Sequence, residues 1–401
     1  MQLTSAIRVT APPAVGRLDD RRQRDLRLDF FRGAALFCIF IDHIPGNLLT
    51  WATLHNIAFC DAAEVFIFIS GFAAAMVYGR ALTQRGVLFA TAQIYRRVWQ
   101  LYVAHVFIFV VFIAEVSYTV SAVNNPIYND ELRVGDFLEQ PHIAILQALL
   151  LRFQPNFLNI LPLYIVLLGI FPAILIGLRR HRRLVLAASL LLYGVSVGRG
   201  WTVPGYPDGE TWFFNPLAWQ LLFVIGALCG HSAAEGRPLL PQTPWLPRLA
   251  TTVVLVAALI SLSWGLHEAY EPIPALLLKS LWRFTIDKSN LAPLRLVNFL
   301  ALAIAVIRVV PRHARFLRWR LVYPVILCGQ HSLHVFCLSI LLSVTGHFIL
   351  GEFWPGLAGQ LLVNLSGVAL MIATAAVLGW YKNATASTRF IDPAPAPSGD
   401  P

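Results

Sequence analysis

The chain has 401 residues, of which 57% are hydrophobic and only 13% are charged, so it carries too little polar surface to cover a soluble globule of this size. The formal net charge of +10 comes almost entirely from arginine, and a basic balance of this kind is also common in nucleic-acid-binding proteins. Here the arginines lie in alternate loops between apolar blocks and not on one face, which excludes nucleic acid as a partner and indicates a membrane protein.

Apolar blocks of about 17 to 25 residues recur along the chain, and each could cross a hydrocarbon core as a helix. We therefore predict an all-α fold, a polytopic transmembrane bundle of about ten helices with both termini in the cytoplasm. Residues 1–27 are a basic cytoplasmic tail, residues 28–381 the transmembrane domain, and the proline-rich residues 382–401 a disordered cytoplasmic tail. The predicted spans are residues 29–50, 61–79, 99–121, 156–178, 184–198, 216–232, 249–267, 294–310, 321–350 and 358–381.

The charges of the loops agree with this topology. Arginines concentrate at residues 80–97, 179–183 and 312–320, in loops that the prediction places in the cytoplasm. Acidic residues concentrate in the opposite loops, at residues 130–139 and 208–210, and a mixed set follows at 268–288. Two apolar stretches, residues 142–153 and 273–284, are too short to span a membrane, so we predict interfacial or re-entrant helices that roof an outward-facing cavity.

The first predicted span contains ionisable side chains, Arg32, Asp42 and His43, which are unusual in a purely structural span. Arg32 and His43 are eleven positions apart, and at about 100° and 1.5 Å per residue both lie on one helix face, about 16 Å apart along the axis. Pro45 cannot donate a hydrogen bond to the carbonyl group of Ile41. We therefore expect the helix to break near His43 and to line a cavity there.

Asp61 and Glu64 open the second predicted span near the depth of His43, and either carboxylate could orient the imidazole. Asp42 adjoins His43, but neighbours on a helix point about 100° apart, so Asp42 ranks below the other two as the orienting group. A neutral histidine held in this way can take a proton from a hydroxyl nucleophile, which makes His43 the candidate general base, with transient transfer of the acyl group to His43 itself as the alternative. Alternatively these groups pair only with one another and stabilise helix packing, but their clustering on adjacent spans favours a catalytic site.

Two further sets of side chains are candidate substrate ligands. Arg32, Arg96 and Arg97 form a basic cluster that could bind the phosphate groups of a donor, although arginines at span ends also follow from membrane topology alone. The candidate acceptor-binding residues are polar groups in an outer loop or within later spans, namely His55, Gln220, His331 and Ser332. Packing hydrogen bonds would account about equally well for the polar groups within spans.

Several segments together resemble one known family. The segment LDFFRGAALFCIFIDHIPGN, followed by DAAEVFIFISGFAAAMVYG, is similar to the start of the OpgC family of osmoregulated periplasmic glucan succinyltransferases, and LPLYIVLLGIFP, NPLAWQLLFVIG and GQHSLHVF resemble later parts of that family. The resemblance covers residues 25–381 approximately. A wider similarity is to the acyltransferase-3 group, whose first span has an arginine, ten intervening residues and a histidine, the spacing of Arg32 and His43.

The resemblance implies an O-acyltransferase of the bacterial inner membrane that passes a succinyl group from cytoplasmic succinyl-CoA to hydroxyl groups of periplasmic glucans. Succinyl-CoA is then a co-substrate, and no permanently bound cofactor is implied. The five cysteines are irregularly spaced and predict free thiols, with neither a disulfide framework nor a metal site. The lipid bilayer and a second copy of the chain are the other candidate partners.

Three alternatives stay open at this point. His55 could replace His43 as the base, because a related lysosomal glucosaminide acetyltransferase uses a histidine between its first two spans. The donor could be an acetyl donor, and the acceptor another envelope polysaccharide. A transporter or exporter could also have a polar site between spans beside a broken helix, although no internal repeat is visible.

Overall fold

The computed structural model describes residues 25–123, 125, 127–237, 243–269, 276, 281 and 287–388. These residues form helices and no strand, which confirms the predicted all-α class. The longer helices are α1 (Leu26–Asp42), α2 (Ala62–Val123), α3 (Pro141–Leu149), α4 (Ile160–Gly169), α5 (Phe171–Arg199), α6 (Pro216–Ala234), α7 (Trp245–Ala269), α8 (Pro293–Val309), α9 (Tyr323–Gln330), α10 (Ser332–Phe348) and α11 (Leu357–Thr388). Short helical turns at Leu48–Ala52, Leu54–Ile57, Ile127–Glu131, Gly135–Glu139, Arg315–Arg318 and Ile349–Phe353 lie between them.

Five of the described helices are long and apolar enough to cross a membrane: α2, α6, α7, α10 with its terminal turn, and α11. Helices α4 and α5, bent by 50° at their junction, make a sixth candidate if they are taken as one span. Helices α1 and α8, with 17 residues each, are close to the length that a span requires. The chain is therefore a helical membrane protein, and the total of about ten spans and the side of each terminus stay predictions.

The longest helix, α2, doubles back at Gly86, where φ of +83° and ψ of 175° leave the helical region. Ala74 and Leu101 line one small cavity, although in a straight helix they would be about 40 Å apart. Helix α5 likewise breaks at His181, where the backbone leaves the helical region. As a result, the side chain of Val185 lies against Gly177. Both breaks fall in the arginine-rich loops predicted from the sequence. Helix α2 covers the predicted spans 61–79 and 99–121, whereas α5 covers the span 184–198 and only the end of the span 156–178.

Glycine-to-carbonyl contacts bring the helices that carry the candidate site close together. On α1, a Cβ atom at Gly33 would collide with the carbonyl oxygen of Val325 on α9. Between α2 and α6, a Cβ atom at Gly71 would collide with the carbonyl oxygen of Phe223, and one at Gly226 with that of Phe68. Small residues at such crossings are the usual means of close helix packing in a membrane. Gly33 and Gly71 are therefore packing positions.

The segments outside the helical bundle differ from the prediction in detail. The predicted re-entrant stretch 142–153 contains helix α3, whereas nearly all of the stretch 273–284 lies outside the described residues. Helix α11 extends to Thr388, beyond the predicted start of the C-terminal tail at residue 382. The rest of that tail and residues 1–24 also lie outside the described residues.

Candidate active site

Two cavities lie along helix α1. The first, which we call the His43 cavity, has a volume of about 300 Å³. The second, the Arg32 cavity, has a volume of about 140 Å³. The His43 cavity is lined by Ile39, Asp42, His43, His55, Asp61, Ala62, Ala63, Asn156, Phe157, Asn159, Ile160, Phe213, Phe214, Lys288 and Phe336. The Arg32 cavity is lined by Arg32, Phe66, Ser70, Ala73, Ala74, Val77, Tyr78, Arg97, Leu101, Leu161, Tyr164, Ser332, Leu333 and Phe336. Arg32 and His43, at the two ends of α1, therefore line different cavities.

His43 lies at the point where α1 stops. The helix ends at Asp42 and not at residue 50 as predicted, because Pro45 has no N–H group to continue it. The amide group of Asn47 donates instead to the carbonyl oxygen of Ile41, at 3.2 Å. A non-helical backbone at membrane depth has to be satisfied by protein in this way. The expected break therefore places His43 at a helix terminus that faces a cavity.

The segment after His43 is fixed by polar residues of α11. Asn47 and Asn364 exchange hydrogen bonds through their side-chain amides, at 3.0 and 3.1 Å. Gln360 accepts from the backbone N–H of Leu48 at 2.9 Å and donates to the carbonyl oxygen of Gly46 at 3.1 Å. Gln360 and Asn364 are one helical turn apart in an otherwise apolar segment, a signal in the sequence that our interpretation had overlooked.

The imidazole of His43 is oriented by its own helix and not by a carboxylate. Its Nδ1 atom bonds to the carbonyl oxygen of Ile39, and a carbonyl oxygen can only accept, so Nδ1 carries the proton. Nε2 is then the nitrogen that can take a proton from a substrate in the cavity. The edge of the imidazole also meets the ring of Phe157, with 4.6 Å between ring centroids.

Asp61 and Glu64, which we had predicted to orient His43, pair with cations instead. Glu64 binds the guanidinium group of Arg295 at 2.6 and 2.8 Å. Asp61 lies 2.7 Å from Nζ of Lys288 and 3.3 Å from Nη2 of Arg295. Asp61, Glu64 and Arg295 are buried, and two carboxylates against two cations balance the charge at membrane depth, as buried charges require. The predicted contact of either carboxylate with His43 is therefore replaced by this charge network.

Lys288 is the cation of the charge network that reaches the His43 cavity, where Asp61 also lines the wall. Its backbone carbonyl and that of Ser289 accept hydrogen bonds from Nε1 of Trp219, at 3.0 and 3.2 Å. Trp219 is fully buried, so it anchors this segment inside the protein. Its neighbour Gln220 exchanges hydrogen bonds with Ser189 on α5, at 2.6 and 2.9 Å, and lines neither cavity.

The other predicted acceptor ligands are divided between the two ends of α1. His55 lines the His43 cavity from the short turn Leu54–Ile57. Partial desolvation lowers the pKa of its imidazole, and Lys288 acts in the same direction, so His55 too can be neutral and accept a proton. Ser332 lines the Arg32 cavity, at the opposite end from His43. His331 lines neither cavity and lies against Gly379 of α11.

Asp42, which we had ranked last among the catalytic candidates, lines the same cavity as His43. Its carboxylate accepts a hydrogen bond of 2.6 Å from the hydroxyl group of Thr53. Within the described residues, no cluster of three or more His, Cys, Asp or Glu side chains has a geometry that could hold a metal ion. An imidazole and a carboxylate in one cavity suit proton transfer and the binding of hydroxyl groups.

The arginines of the proposed donor site are not equivalent. Arg32 and Arg97 line the same cavity, together with the phenolic side chains of Tyr78 and Tyr164. Arg96 is exposed and lines neither cavity. Two guanidinium groups with two hydroxyl groups beside them make a site that suits phosphate oxygens.

A single side chain, Phe336, lines both cavities. It is 1% exposed and packs on Phe66, with 6.0 Å between ring centroids. Nothing in the sequence distinguished this phenylalanine from the other apolar residues of its helix. The Arg32 and His43 cavities therefore meet at one aromatic ring.

Comparison with known proteins gives one result. A family model described as OpgC protein matches residues 24–383, which is nearly the whole chain and includes both cavities. No curated protein and no solved structure matches the chain with significance.

Proposed function

The chain belongs to the OpgC family, and we propose that it is an inner-membrane acyltransferase that moves a succinyl group from cytoplasmic succinyl-CoA to hydroxyl groups of periplasmic glucans. The observation that carries this proposal is the pair of cavities along α1, one with two arginines and one with a histidine, which meet at Phe336. An enzyme that joins a phosphorylated donor on one side of a membrane to a sugar on the other needs such an arrangement.

The chemistry at the His43 cavity is acyl transfer with a general base. Nε2 of His43 takes the proton of a glucan hydroxyl group while its oxygen attacks the thioester carbonyl carbon. The tetrahedral intermediate collapses with cleavage of the C–S bond, and the coenzyme A thiolate leaves and takes up a proton. The bond from Nδ1 to Ile39 holds the reactive tautomer throughout, because it fixes which nitrogen can accept.

The donor would bind with its phosphate groups at the Arg32 cavity and its acyl arm directed past Phe336. The two adjacent arginines on α2 test this placement, since Arg97 lines the cavity and Arg96 does not. We expect Arg97→Gln to raise the KM for succinyl-CoA by about 10-fold or more, the value of a charge-assisted hydrogen bond. Arg96→Gln should change it by about twofold at most, as exposed substitutions usually do. Equal effects of both variants on this KM would show that the donor does not bind at the Arg32 cavity.

The activity itself is tested with the purified chain in lipid nanodiscs, which expose both membrane faces to one solution that contains succinyl-CoA and short gluco-oligosaccharides. We expect mass spectrometry to detect a succinyl ester on the sugar and free coenzyme A in equal amount. Acetyl-CoA in place of succinyl-CoA is the matched control. An ester formed only from acetyl-CoA would overturn the choice of donor, and the absence of any ester would overturn the acyltransferase assignment.

A carrier is the rival reading, because two cavities on either side of one aromatic ring also resemble an alternating-access pathway. Proteoliposomes distinguish the two. Uptake of a labelled oligosaccharide without consumption of acyl-CoA would support the carrier, whereas we expect consumption of acyl-CoA in proportion to the ester formed.

A further inference from the structure

The segment that leads into α4 lies against the proposed base. Asn156, Phe157 and Asn159 all line the His43 cavity. Asn156 fixes the start of the segment, because its amide group donates to the carbonyl oxygen of Glu131 at 2.6 Å and its backbone N–H to that of Leu132 at 3.1 Å. The residues that follow are thus held at a defined position beside His43.

The backbone of this segment is strained where it meets the imidazole. Phe157 has φ of +75°, in the left-handed region that bulky residues rarely adopt, and its ring makes the edge contact with His43. Strain of this kind persists where the surrounding structure enforces it, and it concentrates at functional sites. The left-handed turn at Phe157 brings Asn159, two residues further on, to the wall of the same cavity.

Asn159 occupies the N-cap position of α4 but its side chain does not cap the helix. An N-cap asparagine normally accepts from the backbone N–H two or three positions into the helix, and here the third position is Pro162, which has no N–H. Asn47 and Asn215, by contrast, do cap the helices that they precede. The Asn159 side chain is therefore free of the role that usually explains an asparagine at this place.

The side chain of Asn159 is also buried without a partner. The residue is 7% exposed, and its Oδ1 atom forms no hydrogen bond with any of the described residues. A buried polar atom that lacks a hydrogen bond is costly, so its retention points to a ligand group that supplies the missing donor. The same cavity is also lined by His43, the proposed base, and by Asp61 and Lys288 of the charge network.

We propose that Asn159 is a substrate-positioning residue whose side-chain oxygen accepts a hydrogen bond from a glucan hydroxyl group adjacent to the one that is acylated. This inference rests on the proposed function. The attacked hydroxyl group has a single hydrogen, which goes to Nε2 of His43, so Oδ1 of Asn159 pairs with a neighbouring hydroxyl group on the same sugar. Two hydroxyl groups fixed at two points orient the ring for attack, which raises the rate through alignment.

The test measures kcat/KM for gluco-oligosaccharides, KM for succinyl-CoA and Tm for Asn159→Leu and for a matched control, Asn129→Leu. Asn129 also has an Oδ1 atom without a partner among the described residues, but it lines neither cavity. For Asn159→Leu we expect kcat/KM for the sugar to fall about 30-fold, because a site built to pair with a hydroxyl group discriminates strongly. KM for succinyl-CoA should not change, and Tm should stay the same or rise, since an unpaired buried polar atom is removed.

Deoxy acceptors make the assignment specific. The acceptors are gluco-disaccharides that each lack a single hydroxyl group. With the unaltered protein, kcat/KM for one of them should be lower than for the complete disaccharide by the same factor by which Asn159→Leu lowers kcat/KM for the complete disaccharide. For that deoxy acceptor, Asn159→Leu should lower kcat/KM no further, because the hydrogen bond between Asn159 and the missing hydroxyl group is already absent. Additive losses for every deoxy acceptor, or a lowered Tm with unchanged kcat/KM, would overturn the proposal. If the unaltered protein acylates no sugar at all, the proposed function fails; if it does so and Asn159→Leu is equally efficient, only this inference fails.

Discussion

Replacement of His43 by alanine should lower kcat for acyl transfer by about 10³-fold, within the range that general-base catalysis supplies. The reason is geometric, because the bond to Ile39 places the proton on Nδ1 and leaves Nε2 as the nitrogen that can accept one from a substrate in the His43 cavity. KM for succinyl-CoA should change little, since the donor arginines lie at the other cavity. The measurement is the initial rate of ester formation by purified protein, normalised to the amount of folded chain.

His55→Ala is the matched control for this experiment, because His55 lines the same cavity but lies on the short turn after α1. We expect it to retain activity within about twofold to threefold, as substitutions of exposed residues commonly do. The reverse pattern, an active His43→Ala and an inactive His55→Ala, would transfer the role of base to His55. Loss of activity in both would indicate that the two histidines share the substrate.

Replacement of Arg295 by methionine should cause the largest loss of stability, about 3–5 kcal/mol, because it leaves Glu64 buried without its cation. Asp61 keeps Lys288 as a partner, so Glu64 is the residue that suffers most. The loss is measured as the change in unfolding free energy of the detergent-solubilised protein. Lys288→Met is the comparison, since its side chain is 30% exposed and Arg295 still pairs with Asp61, and we expect it to cost about 1 kcal/mol or less.

A double variant separates the charge effect from a packing effect. Adding Glu64→Gln to Arg295→Met removes the uncompensated charge, and we expect it to recover a substantial part of the lost stability, with a coupling of about 0.5–3 kcal/mol. If the double variant is no more stable than Arg295→Met alone, the arginine stabilises the fold through its packing contacts. The charge network would then contribute little to the stability of the contact between α2 and α8.

The parts of the fold that local composition determines were predictable. Apolar blocks and arginine-rich loops located most of the helical segments, and the reversals at Gly86 and His181 fall within two of those loops. The early end of α1 was only half predicted, because Pro45 indicated a break but the apolar residues beyond it suggested that the span continued to residue 50. The segment beyond the break is held by polar residues of α11, more than three hundred positions away along the chain.

The candidate site was predictable at Arg32 and His43, where both residues lie in one helix and their spacing is fixed by helical geometry. The partners of Asp61 and Glu64 were not predictable, because Lys288 and Arg295 reach them through tertiary contacts that no periodicity records. For the same reason the sequence did not show whether Gln220, a polar residue in an apolar helix, lines a cavity or bonds to another helix. In the structure it bonds to Ser189. Asn159 was overlooked because it fell inside the predicted span 156–178, and no periodicity records which side chains of a span line a cavity.

The charge network also sets an order for biogenesis. Glu64 and Arg295 are 231 positions apart in the chain, and at about 5–20 residues per second the ribosome delivers the arginine about 12–46 s after the carboxylate. During that interval the first turn of α2 carries two carboxylates without their cations, and unpaired charges are costly at membrane depth. The nascent N-terminal half therefore has to keep this turn at the water interface until α8 inserts. The proposed catalytic centre is completed late, by the second half of the chain.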